Sequence, residues 1–133
     1  MRAIFADSYY FMAAINDHDE AHARSLQFTQ TYHGRIITTE WVLTEVADAF
    51  SKPRWRSSFL ITLETLQNNP QASIIEATHS LFLRAVSLFG KRPDKSWSLT
   101  DCTSFLVMED HGVVEALTGD RHFTQAGFVA LLG

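Results

Sequence analysis

Four carboxylates, Asp7, Glu45, Asp101 and Asp120, stand in or beside stretches whose neighbours are mainly apolar. Asp7 ends the run Ala3-Ile4-Phe5-Ala6, and Glu45 lies among Val42, Val46 and Ala49. Asp101 opens Asp101-Cys102-Thr103-Ser104-Phe105-Leu106, and Asp120 follows Val113-Val114-Glu115-Ala116-Leu117-Thr118. A carboxylate in apolar surroundings is costly unless something cationic compensates it. Four of them converging would make a site for a hard divalent metal. Oxygen-only ligation favours Mg2+ or Mn2+, because no soft ligands gather near these positions.

Convergence depends on the elements that carry the acids. Residues 2–6 read as a short buried strand, followed by a helix to about Asn16. Asp17 can cap a second helix running to about Tyr32, Gly34 breaks the pattern, and Arg35 to Thr38 is a second strand. Thr39 can cap the helix of Trp41, Val42, Val46 and Phe50, which Lys52-Pro53 terminates. A helix from about Ser57 to Gln67, a strand within Ala72 to Ala77, and a helix through Leu81, Ala85 and Phe89 to Gly90 follow. Lys91 to Ser98 is a loop, Leu99 to Asp110 a helix closed by Gly112, and Val113 to Thr118 the fourth strand. Phe128 to Leu132 reads as either an edge strand or a short helix. Strands alternating with helices predict an α/β sandwich with a mostly parallel sheet.

In such a sheet, ligands bind outside the carboxyl ends of the strands. Asp7 and Asp120 follow strands directly, and Glu45 and Asp101 lie in the first two turns of their helices, so all four are expected at one edge. Helical phase refines this. Taking Val42 as zero at about 100° per residue, Val46 falls near +40°, Ala49 near −20° and Glu45 near −60°, on the border of the buried stripe. Asp48 lies farther round. With Asp101 as zero, Phe105 and Met108 flank it within about 40° and Asp110 points away.

Each acid also has a local explanation. Asp7 can cap the helix at Ser8, Ser98-Leu99-Thr100-Asp101 matches a capping box, and Gly119-Asp120 is ordinary turn chemistry. Glu45 has no such local use. His122 beside Arg121 reads either as a phosphate contact or as an exposed turn histidine.

Composition bounds the rest. The chain has 133 residues, 46% of them hydrophobic, with ten Phe and three Trp, which predicts one well-packed domain over residues 1–133. Cys102 is the single cysteine, which excludes an internal disulfide or a multi-cysteine metal site and fits a reducing cytoplasm. The opening residues resemble neither a signal peptide nor a membrane span. A formal charge of −4 argues against nucleic-acid binding by bulk electrostatics. Two local basic clusters remain, Lys52, Arg54 and Arg56 with Trp55, and Lys91, Arg92 and Lys95 with Trp97, each readable as a solvated loop.

Other chemistries find less support. His18 and His22 have zinc-site spacing, but Asp19 stands where a metalloprotease needs Glu, and no third ligand is near. An aspartyl-phosphate phosphatase would want a second Asp where Tyr9 stands. No Gly-rich loop with Lys is present for nucleotide phosphates, and Cys102 reads as a core residue.

The residues that carry a family resemblance are Phe5-Ala6-Asp7-Ser8, Asp19-Glu20-Ala21-His22-Ala23, Thr39 to Asp48 with Glu45, Trp97-Ser98-Leu99-Thr100-Asp101-Cys102, and Thr118-Gly119-Asp120-Arg121-His122-Phe123. In this order the chain resembles the PIN domain family, metal-dependent ribonucleases that include the VapC-type toxins of bacterial toxin–antitoxin pairs. The resemblance implies a three-layer α/β sandwich, its central sheet flanked by helices. It also implies Asp7, Glu45, Asp101 and Asp120 as the acidic catalytic site, with Asp7 and Asp101 as primary metal ligands. Glu45 and Asp120 would ligate directly or through water, and Ser8 would supply a hydroxyl behind them. Asp94 is a weaker candidate. The expected cofactor is Mg2+ or Mn2+, and the expected partners are an RNA substrate, a cognate antitoxin protein and a second copy of the chain. A non-catalytic PIN-like module that binds RNA or a protein is the alternative.

Overall fold

The computed structural model describes residues 2–133. Its elements run β1 (Ala3–Ala6), α1 (Ser8–Ile15), α2 (His22–Thr31), β2 (Arg35–Thr39), α3 (Glu40–Ala49) and α4 (Pro53–Asn68). They continue with β3 (Ala72–Ile75), α5 (His79–Lys91), α6 (Leu99–Asp110), β4 (Glu115–Leu117), α7 (Arg121–Gln125) and β5 (Val129–Ala130). The five strands form one sheet in the order β3-β2-β1-β4-β5, and every pairing is parallel. The expected three-layer α/β architecture is therefore present, with a wholly parallel sheet in place of a mostly parallel one.

Central position explains the composition of β1. Ile4, Phe5 and Ala6 are each fully buried, so both faces of this strand are covered. Register places Phe5 between Ile37 of β2 and Ala116 of β4, and Ala6 beside Leu117. The carboxyl ends of β1 and β4 thus finish side by side.

Several boundaries differ from the sequence expectation, each for a local reason. Asp17 caps nothing and α2 begins at His22, because Asn16 Oδ1 accepts from His18 N at 3.0 Å and Asp19 Oδ1 from Ala21 N at 2.8 Å. Those side chains hold turns that compete with helix. α4 starts at Pro53, four residues earlier than expected, with the proline at a first-turn position where its missing N–H costs nothing. Gly90 lies inside α5 and does not end it. Ala49 is exposed, since Leu43 joins Val42 and Val46 in the buried face of α3 and turns that face away from Ala49. The terminal ambiguity resolves as the edge strand β5.

An aromatic column ties the helices around β1 and β4. Trp97 packs edge-on to Phe105 at 5.0 Å between ring centroids, Phe105 edge-on to Phe123 at 5.0 Å, and Phe123 against Phe5 at 6.4 Å. These contacts fix the starts of α6 and α7 over the end of β1.

Candidate functional site

The chain builds outward from β1 through β2 to β3, then returns to the other side of β1 with β4. That reversal is the switch point at which open α/β sheets bind ligands, outside the strand carboxyl ends. Asp7 leaves β1 there, and Thr118 to Asp120 leave β4. Thr118 Oγ1 donates to Asp7 Oδ2 at 2.8 Å and accepts from Asp120 N at 3.1 Å, so one buried hydroxyl ties the two strand ends together. Ser8 Oγ stands 3.5 Å from Asp7 Oδ1.

Asp7 occupies the N-cap position of α1 but makes no side-chain cap bond, so the capping explanation fails for it. Its side chain is instead buried, at 4% exposure. Its pKa is pushed up to about 7, mainly by burial and with the charges of Asp101 and Glu45 adding to it, against the hydrogen bonds from Thr118 and Ser8.

Asp101 has both a local role and a place in the cleft. Ser98 Oγ accepts from Asp101 N at 2.9 Å, and Asp101 Oδ2 accepts from Ser98 N at 3.0 Å, a complete capping box for α6. The same Oδ2 accepts from His122 Nδ1 at 3.1 Å. Burial raises the Asp101 pKa, opposed by Ser98 and His122 and reinforced by the charge of Asp120. Asp110, on the far side of α6, takes two bonds from Arg84, at 2.7 and 3.0 Å.

Asp120 caps α7 by accepting from His122 N at 2.9 Å, and its Oδ1 also lies 3.2 Å from His122 Nδ1. One ligand atom from each of Asp101, Asp120 and His122 lies within 4.8 Å of the others. Asp7 and Glu45 stand outside this tightest group, yet both act electrostatically within the same cluster. Glu45 is half-buried on α3, and Asp48 is exposed.

Among the described residues, no Lys or Arg pairs with Asp7, Glu45, Asp101 or Asp120. Among the described residues, His122 is the only basic side chain paired with any of them. Carboxylate oxygens facing one another, one of them deeply buried and none matched by a fixed cation, are the donor set that suits a hard divalent ion. The residues present fit such an ion.

Sequence reasoning assigned no role to Thr118 and left His122 undecided. His122 is not an exposed turn residue: its side chain is 23% exposed and turns onto two acids. Its position two residues after Asp120, in the first turn of the helix that Asp120 caps, was the available signal. Asp94 lies elsewhere, exposed and clamped by Arg92 at 3.0 Å, which draws its pKa down to about 2. His22 Nδ1 engages Ala13 O at 2.7 Å while His18 is exposed, so the two histidines do not form a zinc pair. Cys102 is buried in the core.

A family model described as the PIN domain matches residues 4–129. No curated protein matches the chain by sequence. Among solved structures, VapC20 of Mycobacterium tuberculosis, described as a Sarcin-Ricin loop cleaving toxin, superposes with a TM-score of 0.87 at 23% identity, covering 96% of this chain and 98% of that one. VapBC2 from Rickettsia felis, solved bound to a DNA fragment from its promoter, gives 0.66 at 14% identity, covering 96% of each chain. FitAcB from Neisseria gonorrhoeae gives 0.65 at 13%, covering 96% of this chain and 94% of the other.

Proposed function

The chain belongs to the PIN domain family, and from that premise we propose that it is a metal-dependent ribonuclease, the toxin of a toxin–antitoxin pair. The observation that carries this reading is the acidic cleft at the β1/β4 switch point, where among the described residues no Lys or Arg pairs with the acids. Asp7 and Asp101 would hold a Mg2+ or Mn2+ ion, and Asp120 would complete the set or hold a second ion. When bound, such an ion lowers the pKa of water and stabilises charge on a phosphate. Glu45 would orient the attacking water, whose oxygen bonds to phosphorus as the P–O bond to ribose breaks in line, the water's proton going to the departing ribose oxygen. Thr118 and Ser8 fix the Asp7 carboxylate, and His122 Nδ1–H fixes the facing oxygens of Asp101 and Asp120.

RNA cleavage assayed with Mg2+ or Mn2+, then with excess EDTA, tests the reading. Cleavage is expected with either ion and none with EDTA. Cleavage undiminished by the chelator sinks the mechanism, and no cleavage with any ion leaves the binding-module alternative.

The toxin reading is supported by likeness to solved toxin and toxin–antitoxin proteins and by an apolar groove. Tyr10, Phe11, Leu26 and Ile61 line a cavity of about 240 Å³ between α1, α2 and α4. Ile61 is 64% exposed there and Leu26 39%. An exposed apolar groove between helices suits the apolar face of an antitoxin helix. Ile61→Asp is expected to weaken antitoxin binding by about tenfold or more, roughly 1.4 kcal/mol. RNA cleavage, measured on the same preparation, is expected to stay near wild type. Equal antitoxin affinity in the variant would place the partner elsewhere. A homodimer belongs to the same reading, supported by the exposed strip Phe82, Leu83 and Val86 on α5.

A further inference from the structure

A second cavity, of about 470 Å³, opens beside the start of α6 and is lined by Phe89, Arg92, Lys95, Trp97 and Cys102 among others. Its volume falls within the range of small-ligand pockets, about 300–1,000 Å³. We propose that this cavity receives one unstacked nucleobase of the RNA, next to the phosphate that is cut. The proposal rests on the ribonuclease reading and adds to it a base-binding pocket with named walls.

Position is the first argument. Trp97 and Cys102 line the cavity, and Asp101 lies between them in the chain, bonded to Ser98. The cavity therefore lies against the same first turn of α6 that carries the acid, a span of about 5.4 Å of rise. A nucleotide whose phosphate lies over Asp101 has this cavity as its neighbour. Trp97 Nε1 also donates to Gln125 Oε1 at 3.1 Å, which fastens the cavity wall to α7, the helix that carries His122.

The chemistry of the walls is the second argument. Arg92 lies over the Trp97 ring at 5.0 Å and is gripped by both oxygens of Asp94 at 3.0 Å, so its guanidinium is a fixed plane. Phe89 is half exposed. Bases taken out of a helix stack on aromatic rings and on arginine planes, and this cavity offers both. Lys95 makes no ion pair among the described residues, which leaves its ammonium available to the phosphate of the seated nucleotide. In a chain of net charge −4, the basic cluster Lys91, Arg92 and Lys95 beside an acidic cleft thereby gains a use.

The test separates this pocket from the nuclease reading. In EDTA, the Trp97 indole N–H signal is followed by NMR as AMP, GMP, CMP or UMP is added, with ribose 5-phosphate as the control. At least one nucleotide is expected to shift the signal saturably and ribose 5-phosphate to shift it far less. Phe89→Ala, at an exposed position, and Lys95→Ala, at a half-buried one, are expected to weaken that binding about tenfold or more. They should also slow cleavage of oligonucleotides carrying the preferred base. No shift with any nucleotide, or an equal shift with ribose 5-phosphate, overturns the proposal. Unchanged cleavage rates and base preference in both variants overturn it as well. Nucleotide binding lost in both variants, in a protein that cuts no RNA, keeps the pocket and discards the nuclease.

Discussion

Asp7→Asn is expected to abolish RNA cleavage and, without divalent metal at pH 8, to make the protein harder to unfold. The second half follows from linkage. In the folded chain the Asp7 pKa is about 7, against an ordinary 3.8. A carboxyl whose folded pKa is raised binds its proton more tightly when folded. Its contribution is therefore fully present below pH 3.8 and is lost as pH rises through about 7. A separation of roughly three pH units corresponds to about 4 kcal/mol at most, unfavourable once the group is ionised. Asparagine carries no charge and keeps an oxygen to accept from Thr118, so the variant escapes that penalty. Thermal melts of metal-free protein at pH 5.5 and pH 8 should show wild type losing stability with rising pH and the variant losing much less. Added Mg2+ or Mn2+ should stabilise wild type, by about 2.7 kcal/mol at one hundred times the dissociation constant, and leave the variant nearly unmoved. A variant that melts below wild type at pH 8 would mean that the carboxylate serves structure instead.

Ser98→Ala and Asp101→Asn should separate the two roles of Asp101. Removing the Ser98 hydroxyl breaks one arm of the capping box and should lower stability by about 1 kcal/mol. The Asp101 carboxylate stays in place, so cleavage should fall little. Asp101→Asn keeps an oxygen for Ser98 N, so the helix start survives while a ligand charge is lost. Because removing groups that merely orient a metal ligand costs about 10–100-fold, loss of the ligand should exceed about a hundredfold. The measurement is the cleavage rate at saturating metal beside the melting temperature. Similar rate losses in the two variants would return Asp101 to its capping role alone.

The parts of this fold that were legible in sequence are those governed by local rules. α6 runs from Leu99 to Asp110 as the pattern and its Ser98 cap predict, and Thr39 caps α3 by accepting from Val42 N at 3.0 Å. Phase separated Asp101 from Asp110 because α6 is regular and anchored by Phe105 and Met108. The same method placed Ala49 in the core, since three apolar residues defined the stripe and Leu43 was left out of it. α7 went unseen because five residues are too few to show a period. The bond from Thr118 to Asp7 spans 111 positions, and no local pattern reports a contact of that range. His122 reaches Asp101 across 21 positions, beside a Phe123 that packs into the aromatic column with Phe105 and Phe5.

That same span, across the reversal between β1 and β4, has a consequence for how the protein is made. As the chain leaves the ribosome, Asp7 and Glu45 emerge first and have no partners for a metal or a phosphate. β2 and β3 can assemble on β1 while the far side of that strand stays bare. Only when α6 and β4 have been synthesised and have folded back do Asp101 and Asp120 arrive beside Asp7. A parallel pairing this distant in sequence forms late. On the ribonuclease reading, the cleft would therefore be complete only once nearly the whole chain has been made.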